Sequence, residues 1–190
     1  MDNKNFVFIG DSLIFGYGVP KNKNWVTKLN DALDFNIINK GINGNTTTDM
    51  LVRFSEDVIS NKPKLIFLMG GTNDLLSNRP VDFIISNIEL MIKEGLESNS
   101  KVILGIPPTI IGCDANELFA PSNTYNYCEH SLPILKNKLM DLCKKYNLSF
   151  IDFYKLTIDN LNKNIFSDGI HLNSHGQNLL FEEALKIIKL

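Results

Sequence analysis

Apolar residues gather along the chain in five short runs, at positions 6–9, 36–38, 65–69, 102–106 and 150–151. Most of these runs are continuously apolar rather than alternating, the pattern of strands covered on both faces. Between them lie amphipathic stretches, at about 25–33, 48–59, 81–96, 125–146 and 174–188. In the last, Leu179, Leu180, Ala184, Leu185 and Ile188 recur at helical spacing. Strand and helix alternate, so the pattern predicts a doubly wound, mainly parallel α/β sheet with helices on both faces. No repeat, linker or low-complexity tract interrupts it, and residues 1–190 read as one domain.

Composition narrows the classes. Of 190 residues 44% are apolar, enough for a sheet buried on both sides, and 19 basic residues face 21 acidic ones scattered along the chain. That balance forms no basic footprint for nucleic acid. No apolar run approaches the roughly 20 residues of a membrane span, and residues 1–5 lead straight into the first apolar run without a signal-peptide core. Cys113, Cys128 and Cys143 lack the spacing of a zinc knuckle or a redox pair. The chain therefore reads as a cytoplasmic protein with reduced thiols. Neither heptads nor an isolated apolar stripe announce an oligomer.

In open α/β sheets ligands bind at the carboxyl ends of the strands, so the residues after each apolar run carry the interest. These are Gly10-Asp11-Ser12-Leu13, then Asn39 to Thr46 with Gly41 and Gly44, then Gly70-Gly71-Thr72-Asn73-Asp74. A fourth cluster, Asp168-Gly169-Ile170-His171, precedes the last amphipathic stretch. A serine after a strand is most often a cap or turn residue, and a neutral hydroxyl becomes a nucleophile only beside an oriented base. Asp168 and His171, three residues apart, can supply both base and orienting carboxylate, in the chain order Ser, Asp, His. Acyl transfer also needs donors for a developing oxyanion. The backbone N–H groups of Ser12 and Gly44 and the side-chain amide of Asn73 are the candidates.

These four clusters, in this order from Gly10 to His171, resemble the signature blocks of the SGNH, or GDSL, hydrolases. The resemblance implies a flavodoxin-like three-layer fold with strand order 2-1-3-4-5. It implies Ser12, Gly44, Asn73 and His171 as signature residues, with Asp168 orienting His171, and it points to compact bacterial members of the lysophospholipase and acyl-thioesterase I type. The expected activity is cleavage of a carboxylic or thioester through an acyl-enzyme, without cofactor or metal. The substrate would be a small-molecule ester: a short acyl ester, a lysophospholipid, an acyl thioester or an acetylated sugar. A carbohydrate O-acetylesterase is the main alternative, and a non-catalytic carbohydrate- or lipid-binding module on the same fold is the alternative from another class.

Several residues invite other readings. His175 lies four after His171, a metal-like spacing, but Asn173 and Ser174 look like the cap of a helix starting at about His175, which separates the two rings. His130 reads as a helix-surface residue. Asp11 and Asp74 read as capping or backbone-binding carboxylates, and Thr46, Thr47 and Thr48 as the start of a helix. The first run is followed by neither a Gly-x-Gly-x-x-Gly dinucleotide fingerprint nor, with Ile14 after Leu13, a Gly-x-Ser-x-Gly elbow. Residues 106–123 read as a long mixed loop holding an inert Cys113, in which Ile110, Ile111, Leu118 and Phe119 are available to wall an acyl pocket.

Overall fold

A computed structural model describes residues 5–33 and 35–188. Five strands, β1 (Asn5–Gly10), β2 (Asn36–Gly41), β3 (Leu65–Met69), β4 (Lys101–Ile106) and β5 (Ser149–Asp152), form one sheet. Every pairing is parallel and the order is 2-1-3-4-5, as the resemblance implied. The α-helices are α1 (Ser12–Phe15), α2 (Trp25–Ala32), α3 (Thr47–Val52), α4 (Phe54–Asp57), α5 (Thr72–Leu76), α6 (Val81–Glu97), α7 (Gly112–Leu118), α8 (Thr124–Tyr146), α9 (Phe153–Ile158) and α10 (Ser174–Ile188).

Alternation along the strands divides the core in two. Val7, Ile9, Ile66, Leu68, Val102 and Leu104 face a cluster with Met50 of α3, Ile88 and Met91 of α6, and Leu135 and Leu139 of α8. Phe6, Phe8, Leu65, Phe67 and Ile103 face the other, with Trp25 and Leu29 of α2, Phe153 of α9, and Leu180 and Ala184 of α10. Both faces of the central strands are dry, which is why their sequence is apolar without alternation. Trp25 lies against Phe8, Phe67 and Phe153 with ring centroids 5.3 to 5.7 Å apart.

Besides the short helices α1, α5 and α9, which the pattern does not show, the structure departs from it in β2, in 48–59 and in 106–123. The second strand continues past Ile38 to Gly41, because Asn39, Lys40 and Gly41 pair with Phe8, Ile9 and Gly10. It is an edge strand, and the amide oxygens of Asn30 and Asn39 accept from the backbone N–H groups of Ile37 and Gly41, occupying donors that would otherwise invite another strand. The stretch 48–59 is broken at Arg53, which ends α3 and begins α4. Its guanidinium donates to the carbonyls of Gly10 and Lys40 and to the side chains of Asn45 and Asp57, tying the ends of β1 and β2 together. Residues 106–123, read as a loop, contain α7, so Cys113 sits in a helical first turn. The Ile111 N–H donates to the Gly169 carbonyl at 2.7 Å and anchors that helix entry.

Candidate active site

Ser12 is the first residue of α1, immediately beyond β1, and only 6% exposed. Asp11 caps the helix by accepting from the Leu13 N–H at 2.9 Å. A four-residue helix cannot satisfy its own carbonyls, and here other groups do so. The Leu13 carbonyl accepts from the Trp25 indole at 2.9 Å, that of Ile14 from Asn39 at 2.8 Å, and that of Phe15 from Asn24 at 2.7 Å. The Ser12 carbonyl accepts from the N–H groups of Gly16 and Tyr17. A Cβ on Gly41 would stand 2.2 Å from the Phe15 nitrogen; the end of β2 can be crossed this closely only by a residue without a side chain.

Asp168 and His171 share one tight turn. Asp168 Oδ1 accepts from the N–H groups of Ile170 and His171, at 2.9 and 2.7 Å. Its Oδ2 lies 2.7 Å from His171 Nδ1, and His171 Nε2 lies 3.0 Å from Ser12 Oγ. The carboxylate can only accept, so the proton belongs on Nδ1 and the lone pair of Nε2 faces the serine hydroxyl. The Ser167 N–H and hydroxyl hold the His171 carbonyl from behind. Ser12, His171 and Asp168 thus form an unbroken hydrogen-bonded relay. The ring of Tyr17 lies over the imidazole, with centroids 4.4 Å apart and planes inclined at 44°.

The other candidates occupy the neighbouring strand ends. Asn45 N–H donates to the Ile42 carbonyl, closing a turn whose third residue is Gly44 with φ +77°. That is a type II turn, and glycine is the residue its third position favours. Asn73, in the first turn of α5, donates one side-chain N–H to the Asn45 carbonyl at 2.9 Å, leaving the other available. Ser12 supplies the first N–H of α1, which no helical carbonyl can reach.

Two buried carboxylates lie beneath these loops. Asp74, fully buried, accepts from the backbone N–H and hydroxyl of Thr47 and from Arg79. It therefore caps α3 rather than its own helix, while Thr46 and Asp49 form a reciprocal capping box at the same end. Asp11 is 1% exposed and its Oδ2 has no partner among the described residues. Burial pushes its carboxyl up from the ordinary value near 3.8 to about 7, with the charge of Asp74 adding to the effect.

The remaining readings resolve locally. Asn173 Oδ1 accepts from the N–H groups of His175 and Gly176, so His171 lies ahead of the α10 cap and His175 inside the helix. His130 is exposed on α8, bonded to the Asn126 carbonyl. Among the described residues no three His, Cys, Asp or Glu side chains are grouped to hold a metal ion, and no helix is long and apolar enough to cross a membrane. Burial raises the Cys128 and Cys143 thiols to about 12 and about 11, and a hydrogen bond to Asp114 raises that of Cys113.

A groove of about 400 Å³ opens beside His171, lined by Leu76, Phe119, Ala120, Thr124, Tyr125 and Ile170. Of Ile110, Ile111, Leu118 and Phe119, only Phe119 lines it. Ile110 is buried in one core and Ile111 packs against the other, because both lie ahead of α7 where the chain still covers the sheet. Leu118 lines a separate cavity with Asp114, Glu117 and Asp168. Tyr17 and Arg53 lie outside the four clusters that the sequence points to. The local signal for Tyr17 is its place between Gly16 and Gly18, five residues after Ser12; for Arg53 there is none.

A model of the GDSL-like lipase/acylhydrolase family matches residues 8–179. An arylesterase of Vibrio mimicus is 33% identical over 114 residues, 56% of this chain and 57% of that protein. An acetylxylan esterase of Geobacillus stearothermophilus is 40% identical over 52 residues, 27% of this chain and 24% of that protein. These matches span from about a quarter to just over half of the relatives' lengths. A crystal structure from the lipolytic G-D-S-L family of Veillonella parvula superimposes with a TM-score of 0.84 at 24% identity, covering 98% of this chain and 99% of that one. A crystallised acetyl xylan esterase gives 0.80 at 22% identity, covering 97% and 99%. At those identities the two structures bear on the fold alone.

Proposed function

Because the chain belongs to the GDSL-like lipase/acylhydrolase family, we propose that it hydrolyses carboxylic esters through an acyl-enzyme on Ser12. The observation that carries this reading is the relay from Asp168 through His171 to the Ser12 hydroxyl, with contacts of 2.7 and 3.0 Å. In the first step His171 Nε2 takes the Ser12 proton as Oγ attacks the ester carbonyl, and the imidazolium is stabilised by Asp168. The tetrahedral oxyanion is received by the N–H groups of Ser12 and Gly44 and by the second N–H of Asn73. The imidazolium then gives its proton to the leaving alcohol. Water, deprotonated by the same nitrogen, releases the acid and restores the serine.

For the substrate, the apolar groove touching His171 favours an ester with an apolar group of short to medium length. Its volume of about 400 Å³ exceeds what an acetyl group needs. A sugar acetate is the second reading, supported by the acetylxylan esterase relative. A panel of 4-nitrophenyl esters from acetate to palmitate tests both. Ser12→Ala is expected to lower turnover by at least about 10³-fold while the protein stays folded; retained hydrolysis would sink the assignment. An optimum above acetate supports the groove as the acyl site, and activity confined to acetyl esters supports the sugar-ester reading.

A further inference from the structure

In the resting arrangement the His171 imidazole is held at both nitrogens, by Asp168 at Nδ1 and by Ser12 at Nε2. These two bonds define an axis across the ring and leave rocking about that axis to be limited by whatever touches its faces. Tyr17 is in ring contact with the imidazole at 4.4 Å between centroids. It comes from the same short segment as Ser12, and its own N–H donates to the Ser12 carbonyl at 3.1 Å. The tyrosine ring is therefore registered to the nucleophile through backbone, although its side chain is 44% exposed and contributes little to the core.

The two halves of the proposed reaction use this contact unequally. Before acylation, the Ser12 hydroxyl donates to Nε2 and aligns the imidazole by itself. Once Oγ is esterified it has no proton to donate, and the ring keeps only its Asp168 bond. The imidazole must still aim Nε2 at an incoming water, and a misaligned general base loses most of its advantage. With the Ser12 bond gone, the Tyr17 ring is a contact on the imidazole face that remains.

We propose that Tyr17 is a positioning residue for His171 that acts chiefly in deacylation, by holding the imidazole against its ring while Ser12 is acylated. This inference rests on the acyl-enzyme reading above and adds a residue that acts through the His171 imidazole. The phenol hydroxyl has no part in it; the ring does.

Rapid-mixing kinetics on a 4-nitrophenyl ester test it, with Tyr17→Leu and Tyr17→Phe beside the parent protein. Tyr17→Leu is expected to lower kcat about tenfold or more while kcat/KM, which reports acylation, stays within about twofold. The acyl-enzyme should then accumulate, seen as a larger burst of 4-nitrophenol before the steady state. Tyr17→Phe keeps the ring and should recover kcat to within about threefold of the parent. Independently of turnover, the carbon-bound imidazole protons of His171 should lose their ring-current shift in Tyr17→Leu and keep it in Tyr17→Phe. Unchanged kcat in Tyr17→Leu overturns the proposal, and so does a loss carried by kcat/KM with no burst, which would make Tyr17 a substrate-binding residue. Failure of the acyl-enzyme reading is distinguishable: Ser12→Ala would then hydrolyse the ester like the parent.

Discussion

In α1 the carbonyls of Ser12, Leu13, Ile14 and Phe15 all have partners, and three of these partners are side chains brought from α2, its cap and β2. Between α7 and α8 the chain is held differently. Apart from backbone bonds at the two helix ends, its bonds there are exposed side-chain contacts, from the Ser122 N–H to Asn116, the Thr124 N–H to Ser122 and the Tyr125 hydroxyl to the Ala120 carbonyl. Leu118 and Phe119 are 63% and 41% exposed. The first region seats a nucleophile with hydrogen bonds; the second walls a groove. A hydrogen-bonded seat tolerates few substitutions, because each one leaves a buried group unpaired. An exposed wall tolerates many. The same fold can therefore keep its chemistry while its substrate surface varies.

The sharpest way to break the first region is chemical. Asp168→Asn keeps the size of the side chain but offers an amide where His171 Nδ1–H requires an acceptor. Turnover is expected to fall by roughly 10³- to 10⁴-fold, measured on a 4-nitrophenyl ester, with the unfolding temperature little changed, since the amide oxygen can go on accepting from the Ile170 and His171 N–H groups. A geometric break comes next. Gly41→Ala would set a Cβ against backbone of α1, 2.2 Å from the Phe15 nitrogen and 2.8 Å from the Ile14 carbonyl carbon. Backbone cannot rotate aside as a side chain can, so a loss on the order of 3 kcal/mol of folding stability is expected in denaturant titration. Activity should fall with it, because α1 carries Ser12.

How much of this was legible in the sequence follows from the range of the interactions. The apolar run 65–69 has the same bounds as β3, since β3 is dry on both faces and every residue is apolar. The apolar pattern of β2 stops at Ile38 because an edge strand is half-exposed, and its continuation through Asn39-Lys40-Gly41 depends on a partner strand that the local pattern does not contain. The stretch 48–59 looked like one helix, yet Arg53 breaks it with bonds to three other segments. At the site, Asp168 and His171 are three residues apart and could be paired on sight. The 3.0 Å contact of His171 with Ser12 spans most of the chain and was inferred through the block order. The capping role of Asp11 is legible locally, whereas its burial and the ring contact of Tyr17 are not, because ring contact and burial are properties of the fold and not of neighbouring residues.

Asp11 offers a break that depends on pH. Its carboxyl titrates at about 7 in the folded protein and near 3.9 in the unfolded chain. Between those values the folded state binds the extra proton, so stability falls as pH rises and levels off above the folded value. Asp11→Asn keeps the acceptor for the Leu13 N–H and cannot ionise. Relative to that variant, the parent should lose up to about 3 kcal/mol between about pH 5 and about pH 8, read from denaturant midpoints at each pH. A constant difference across the range would place the carboxyl in water and remove burial as the cause of its behaviour. The comparison is confined to α1, because Asp11 and Ser12 are adjacent in the same seat.

The second region is broken most gently. Phe119→Ala removes a ring that is 41% exposed, and its cost in stability should be below about 1 kcal/mol. Its effect belongs to substrate choice. Phe119 is contributed by the segment between α7 and α8, while Ser12, His171 and Asp168 come from other parts of the chain, so hydrolysis of an acetyl ester should change by less than about threefold. Longer acyl chains would lose the apolar contact made by the ring, worth about 1 to 3 kcal/mol for a buried group of that size, or roughly 5- to 150-fold in kcat/KM. The ratio of the two rates is the quantity to measure, since it cancels any general loss of active protein. A ratio that stays level from acetate to octanoate would take the acyl chain out of this groove and leave the relay at Ser12 untouched. A ratio that falls with chain length would place selectivity in the exposed segment and chemistry in the bonded one.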